Sequence, residues 1–483
     1  MSDPDAVVVG SGPNGLMAAV VLARAGREVL VVEAADTPGG GTRSEAMMVP
    51  GIVHDVCSAI HPLAVASPAF RELAEVGLLA EHGLRWIHPD IPVTHPLDGG
   101  RVGVLRRSVV ETAEGLGVDR SAYERLMDPL VEAGTDLVDG LLSPLSVPPR
   151  HPVDLARFAV SGVRSAHGLA RRRFESDEGR ALFAGLAAHS LLSLRSPITA
   201  GYGLTLGTLA HLVGWPMAAG GSQRIADALV ATIESLGGRV ECGRRVDSLD
   251  ELPSAAAVVL DVTPRQVVDI AGDRLPSRYR RSLSSFRYGP GVFKVDWVLD
   301  GPVPWADPHS ADAGTVHLGG TLEEVTAAED DVVAGRHPER PYVLIAQHTR
   351  FDPSRVDVAP RPSGQPLETL WGYCHVPNGS SVDMTDRIER QIERFAPGFR
   401  DRVLHRHTMS TGAMERHDAN YIGGDINGGA GDLRQIVARP TWGLHPWRTP
   451  VDGLWLCSAS TPPGGGVHGM GGWHAAHDVL RRT

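Results

Sequence analysis

Val7-Val8-Val9-Gly10-Ser11-Gly12-Pro13-Asn14-Gly15 opens a run that continues through an Ala- and Leu-rich stretch, Leu16 to Gly26. It passes into Val29-Leu30-Val31-Val32 and ends in Glu33. The order is strand, glycine turn, helix, strand, acid. Gly10 permits the tight turn, Gly12 lets the backbone approach a pyrophosphate, and Gly15 lets helix and strand pack closely. Pro13 and Asn14 stand at the helix start, where free N–H groups and the positive end of the dipole favour an anion. Glu33, followed by Ala34, is placed to accept hydrogen bonds from ribose hydroxyls. The spacing predicts a dinucleotide-binding βαβ unit.

Two further glycine-rich segments bear on which dinucleotide. Pro38-Gly39-Gly40-Gly41-Thr42-Arg43 follows soon after Glu33. A second turn lets another backbone segment reach the same diphosphate, and Arg43 is long enough to reach phosphate or ring. NAD-only enzymes do not usually need that second turn, whereas FAD enzymes of the glutathione-reductase-like class do. Near the other end, Val451 to Ser460 reads as a turn and buried strand that includes Cys457 and Ser458. Thr461-Pro462-Pro463-Gly464-Gly465-Gly466-Val467-His468-Gly469-Met470 then leads into a terminal helix over Trp473 to Arg482. So many Pro and Gly residues are costly unless a ligand comes close. Backbone donors at that helix start are suited to the charge of a reduced isoalloxazine.

Together, VVVGSGPNGLMAAVVLARAGREVLVVE (7–33), PGGGTRS (38–44) and GLWLCSASTPPGGGVHGMGG (453–472) resemble the phytoene-desaturase-like flavoproteins, within the amine-oxidase and carotenoid-desaturase superfamily. A middle segment supports this: Pro216 to Ser222, a helix from Gln223 to Leu236, then Gly237-Gly238-Arg239-Val240, and a strand Ala255 to Leu260 ending at Asp261. The whole chain is similar to an actinobacterial branch related to the vertebrate pyridine-nucleotide-disulphide-oxidoreductase-domain proteins. No redox cysteine pair or second nucleotide fold accompanies that name. The resemblance implies an α/β fold: a discontinuous Rossmann-type, glutathione-reductase-like FAD-binding domain over 1–95, 205–290 and 445–483, with an inserted α+β substrate domain. Residues 96–204 are expected to be a helical lid, broken at Pro148 to Pro152, and 291–444 an antiparallel sheet flooring a cavity. FAD is the implied cofactor, with Val246, Ser458, Gly465, Gly466, Val467 and Met470 joining the residues of the two turns.

Composition sets the outer limits. The 483 residues suggest ~3 domain-sized units. A net charge of −11 argues against nucleic acid as the partner. The four cysteines, Cys57, Cys242, Cys374 and Cys457, are too scattered for structural zinc or a disulfide scaffold, and no metal is expected. No secretion signal or membrane-spanning run is read, so the expected location is cytoplasmic. An arginine stripe (Arg157, Arg164, Arg171, Arg172, Arg173) keeps peripheral membrane contact open, as a homodimer is also kept open.

All but one of the 46 basic residues are arginine; the exception is Lys294. It lies in Val292-Phe293-Lys294-Val295-Asp296-Trp297, ahead of Pro304-Trp305, and is similar to the amine-oxidase lysine that contacts flavin N5 through a water. Unlike guanidinium, a buried ammonium can lose a proton. His468 is the second catalytic candidate, as base or hydrogen-bond donor. Tyr421, Asp425 and Trp371 are the substrate-lining candidates, with His211 and Trp215 behind them. Met470 stands where the resemblance would put a cage tyrosine, which disfavours amine oxidation. The expected reaction is desaturation or dehydrogenation of a hydrophobic small molecule such as a polyene or isoprenoid, by hydride transfer to flavin, with oxygen or a quinone as final acceptor. An amine oxidase and a flavin-free lipid binder are the alternatives.

Overall fold

A computed structural model describes residues 3–144, 149–358 and 366–483. The three central valines of the opening strand, Ala6–Val9, are almost fully excluded from solvent. That is what a β-branched run gives when parallel neighbours and helices cover both faces. The sheet around it is parallel throughout, in the order Leu454–Leu456, Ala257–Leu260, Ala6–Val9, Val29–Val32, Arg239–Glu241. Its strands come from the beginning, middle and end of the chain. The order reverses at Ala6–Val9, so the crevice beyond its carboxyl end is the topological switch point where such sheets bind ligands.

The helix Pro13–Arg24 carries proline in its first turn and packs on the terminal helix Met470–Leu480. The contact is close. A Cβ added to Gly472 would stand 1.8 Å from the Asn14 carbonyl oxygen, and one on Gly469 would meet Met17 at 3.0 Å. Asn14 Oδ1 also accepts the Gly471 N–H at 3.1 Å.

A second, seven-stranded sheet runs Val403–Met409, Gly291–Asp300, Leu367–Val376, Val343–Ala346, Ala313–Leu318, Ile91–Pro96, Val102–Leu105. All neighbours are antiparallel except Ala313–Leu318 with Ile91–Pro96. Phe293, Val295, Trp297 and Leu299 face a core with Ile388, Ile392 and Phe399. The alternate residues, Lys294 and Asp296 with Trp371 and Tyr373 opposite them, face the other way.

The expected subdivision shifts at three places. Ile91–Pro96 belongs to the second sheet rather than the first, and Val102–Leu105 is a strand within the stretch expected to be helical. Both pair there because their buried faces extend the same layer. Helix Thr199–Val213 runs across the expected boundary at 205 and packs on helix Asp177–Ala188. Of the proline break at 148–152, Pro148 lies outside the described residues.

A buried cation ties together the segments around Asp55, Ala218 and Asp352, which lie outside the two large sheets. Arg355 has no solvent exposure and donates to Asp55 Oδ2 (2.8 Å), Asp352 Oδ2 (3.1 Å) and the Ala218 carbonyl (3.0 Å). Asp55 Oδ1 accepts from Ser44 Oγ at 2.6 Å and Ser222 N at 2.7 Å. Burial pushes the Asp55 carboxyl up, but Arg355 and His348 outweigh it and hold it well below the usual range.

The contact between the ends of the chain gives a direct test. Gly472→Ala is expected to lower the unfolding free energy by roughly 3 kcal/mol in denaturant titrations. Gly115→Ala, where a Cβ meets nothing within 4 Å, is expected to leave it unchanged or slightly raised.

Candidate functional site

In the opening turn, Gly10 and Gly15 give the tight turn and close packing that their spacing predicts, while the space at Gly12 is approached by protein. Gly10 has φ +99°, and a Cβ on Gly15 would meet the Gly10 carbonyl oxygen at 2.2 Å. The Gly12 notch is faced by a carboxylate of the protein: a Cβ there would lie 2.7 Å from Asp261 Oδ2, which also accepts the Gly15 N–H at 2.9 Å. The second turn leans on the first. Gly39 N donates to Ser11 O (3.0 Å), Thr42 Oγ1 donates to Gly39 O (2.8 Å), and a Cβ on Gly40 would be 3.1 Å from Gly12 Cα. Gly12 and Gly40 thus line one narrow cradle.

Glu33 holds this arrangement together. Its Oε2 accepts both the Ser11 N–H (2.8 Å) and hydroxyl (2.5 Å), and Oε1 accepts the Ala35 N–H (2.8 Å). A carboxylate oxygen has capacity for more than one donor, so a ribose contact would add to these bonds. Gly243 N and Arg244 N donate to the Ala35 and Glu33 carbonyls at 2.8 Å each, bringing the segment that leads to buried Val246 alongside; Ala34 is exposed.

Several expected roles change. Arg43 was read as reaching phosphate or ring; its Nε donates to Gly40 O (3.0 Å) and an Nη to His417 O (2.5 Å), bracing two loops. The 464–466 glycines were read as making room for a ligand, but protein fills that room. A Cβ on Gly465 would meet the Asn427 backbone at 2.9 Å, and one on Gly466 would meet Leu63 at 2.6 Å. Partly buried Val467 and buried Met470 pack against the core of the first helix, and Ser458 is buried beyond the last strand. His468 was read as an acid–base group. Its Nδ1 accepts the Met470 N–H at 3.0 Å and its Nε2 lies 3.1 Å from the Gly464 carbonyl, so both ring nitrogens close their own loop. Burial lowers its pKa to about 4. Asp425 was read as lining the cavity; its carboxylate accepts the N–H groups of Gly289, Gly429 and Asn427, each at 2.8 Å, and fixes a loop. His211 is held by the Tyr123 hydroxyl (2.7 Å) and the Arg107 carbonyl (3.0 Å), and Trp215 donates to Leu206 O (3.2 Å).

Lys294 and Trp371 do come together. Lys294 is 1% exposed, its Nζ sits 5.7 Å from the Trp371 ring centre, and it donates to Asp296. Asp296 Oδ1 is 3.8 Å from His54 Nδ1. Burial pushes Asp296 up to about 6 against the pull of Lys294, and burial together with Lys294 drives His54 down to about 3. Tyr421 is packed against the second glycine turn, its hydroxyl where a Gly41 Cβ would point, 2.0 Å away. Around Lys294, the buried atoms His54 Nε2, Asp296 Oδ1, Trp371 Nε1 and His407 Nδ1 have no hydrogen-bond partner among the described residues. Such a cluster is unusual in a packed interior and marks a place where a small molecule or water completes the bonding.

Asp296, His54, Asp261 and Tyr373 were missed in the sequence. Asp296 carried a usable signal, since two residues from Lys294 in a strand means the same face. Asp261, the last residue of its strand run, carried another, because strand ends in this fold face the crevice.

Asp261 makes a pH prediction. Burial pushes its carboxyl from 3.8 to about 7, with Asp418 and Glu33 adding to the rise. Between those values the folded protein holds a proton that the unfolded chain has lost, so this group's contribution to stability falls as pH rises. Asp261→Asn is expected to flatten that decline and to exceed wild type by roughly 2–4 kcal/mol at pH 8, the gap closing near pH 4, in denaturation curves at both pH values.

Comparison with known proteins agrees with this architecture. Residues 8–76 match the NAD(P)-binding Rossmann-like domain. Mouse pyridine nucleotide-disulfide oxidoreductase domain-containing protein 2 is 27% identical, over 99% of this chain and 93% of its own length. The neurosporene-forming phytoene desaturase of Rhodobacter capsulatus is 25% identical, over 96% and 91% respectively. A putrescine oxidase structure superposes with TM-score 0.63 at 19% identity, covering 99% of both chains, a likeness of fold. Along nearly its whole length the chain is thus similar to a phytoene desaturase and to a pyridine nucleotide-disulfide oxidoreductase domain protein, and its fold is like that of putrescine oxidase.

Proposed function

We propose that the protein is an FAD-dependent oxidoreductase that desaturates or dehydrogenates a hydrophobic small molecule. The observation that carries the reading is the joint construction of one crevice by the Gly10–Gly15 turn, the Gly39–Thr42 turn and the start of the terminal helix, with the buried Lys294–Asp296 pair on the facing sheet. The residues fit FAD: the glycine cradle admits a diphosphate, Glu33 and Val246 suit the ribose and adenine, and Asp261 meets an anion better once protonated. When bound, the isoalloxazine would supply the two-electron acceptor for a hydride.

The chain's own residues supply the rest. Lys294 and Asp296 share a buried hydrogen bond, so a proton can move between a nitrogen and a carboxylate away from bulk water. Trp371 covers that pair with an apolar ring, and the helices packed over the sheet exclude water from the same face. The membership of Met470 in the first helix's core leaves no aromatic side chain at that position, which favours C–H over amine oxidation.

Two measurements test this. Protein expressed with riboflavin available is expected to be yellow, and mass spectrometry of the molecules released on denaturation is expected to find FAD; a chain that stays colourless with excess FAD refutes the reading. Lys294→Met is expected to retain flavin and to slow reoxidation of the chemically reduced protein by oxygen about 10–100-fold in stopped flow. An unchanged rate removes Lys294 from that step.

A further inference from the structure

On the face that carries Lys294 lies a second buried polar device. Trp371, Tyr373 and His375 alternate along Leu367–Val376, with Tyr373 opposite Lys294 and His375 opposite Val292. One strand repeat of roughly 7 Å therefore separates His375 from the level of Lys294. His375 and Glu329 are each 1% exposed, and His375 Nδ1 lies 2.8 and 2.9 Å from the two Glu329 oxygens. Glu329 comes from Leu322–Val333, a helix fixed at its start by a Thr321–Glu324 capping box. The other ring nitrogen, Nε2, is buried with no hydrogen-bond partner among the described residues. The rings of Tyr342 and Tyr373 flank the imidazole at 5.5 and 5.7 Å, and the Tyr342 hydroxyl is already taken by the Gly185 carbonyl at 2.9 Å.

A carboxylate removed from water needs a counter-charge, and the imidazole in contact with both oxygens is the group that can carry it. With the ring carrying that charge the pair is neutral overall, and Nε2 is left as an N–H between the Tyr342 and Tyr373 rings, without a partner among the described residues. A third charge there would be unbalanced, whereas an uncharged oxygen would satisfy the donor. The geometry points to His375 Nε2 as the anchor for a hydroxyl or carbonyl oxygen on an otherwise apolar substrate, with Glu329 as the positioning residue that charges and orients the ring. This rests on the function proposed above and narrows it: the substrate is an oxygenated lipid-like molecule rather than a pure hydrocarbon, and its oxygen end is held while another part lies at Lys294.

The probes are decane, 2-decanone and 1-decanol, titrated against the full chain by intrinsic tryptophan fluorescence, with flavin absorbance recorded separately. Wild type is expected to bind the ketone and the alcohol at least ~10-fold tighter than the alkane, because a buried donor rejects a ligand that cannot pair with it. His375→Leu is expected to bring all three within ~2-fold of one another. In Glu329→Gln the amide oxygen still accepts Nδ1–H but the ring loses its counter-charge, so Nε2 becomes an acceptor. The alcohol then keeps its advantage and the ketone loses it, a reversal that a purely structural role would not produce. Equal binding of the three probes by wild type, binding of none, or the same treatment of ketone and alcohol by Glu329→Gln overturns the assignment. A colourless protein that still discriminates refutes only the flavin function; a yellow one that does not refutes only the anchor.

Discussion

The approach of the terminal helix to the first one constrains everything else in this molecule. Gly472 lies so near Asn14 that no side chain fits between them, and Gly471 gives its N–H to the Asn14 side chain. That contact brings the last strand beside Ala257–Leu260 and completes a parallel sheet whose strands lie hundreds of residues apart. The start of the terminal helix thereby forms one side of the crevice at the opening turn. The loop that precedes the docked helix is held as firmly: Ser67 donates to the His468 carbonyl at 2.8 Å, and His468 bonds within its own turn.

Charge is distributed with the same economy. Arg355 satisfies Asp55 and Asp352 where a buried carboxylate alone would be strongly disfavoured. Asp55 is the chain neighbour of His54, and His54 lies beside Asp296, so this node adjoins the polar group around Lys294. On the nucleotide side, burial and the neighbouring carboxylates raise the proton affinity of Asp261 and of Asp418 near a helix start that would otherwise attract anions strongly. The crevice is thereby tuned by protonation as well as by shape.

The inner face of the seven-stranded sheet packs into a hydrophobic core through Trp371 and Tyr373 yet also carries buried Lys294, Asp296 and His375. Several polar atoms on this face find no partner among the described residues. A packed interior tolerates such atoms only where another molecule completes their bonding. The polarity extends from Lys294 to His375 and joins two neighbouring positions on one face.

The opening turn, the second glycine turn, the terminal helix and the strand around Lys294 were legible in the sequence because each follows from local chemistry. Glycine spacing, β-branched runs and a lone lysine among arginines need no distant partner to be read. Trp371 was read only as a substrate-lining candidate, and its place beside Lys294 comes from the fold. The roles of His468, Asp425 and Arg43 were not legible, since each side chain is committed by a segment that only folding brings near: its own loop, the Gly289 turn, the His417 carbonyl. The sequence by itself determined which segments could cradle a dinucleotide. Tertiary structure decided which titratable groups stay free, because a hydrogen bond depends on distances of about 3 Å that one-dimensional spacing does not encode.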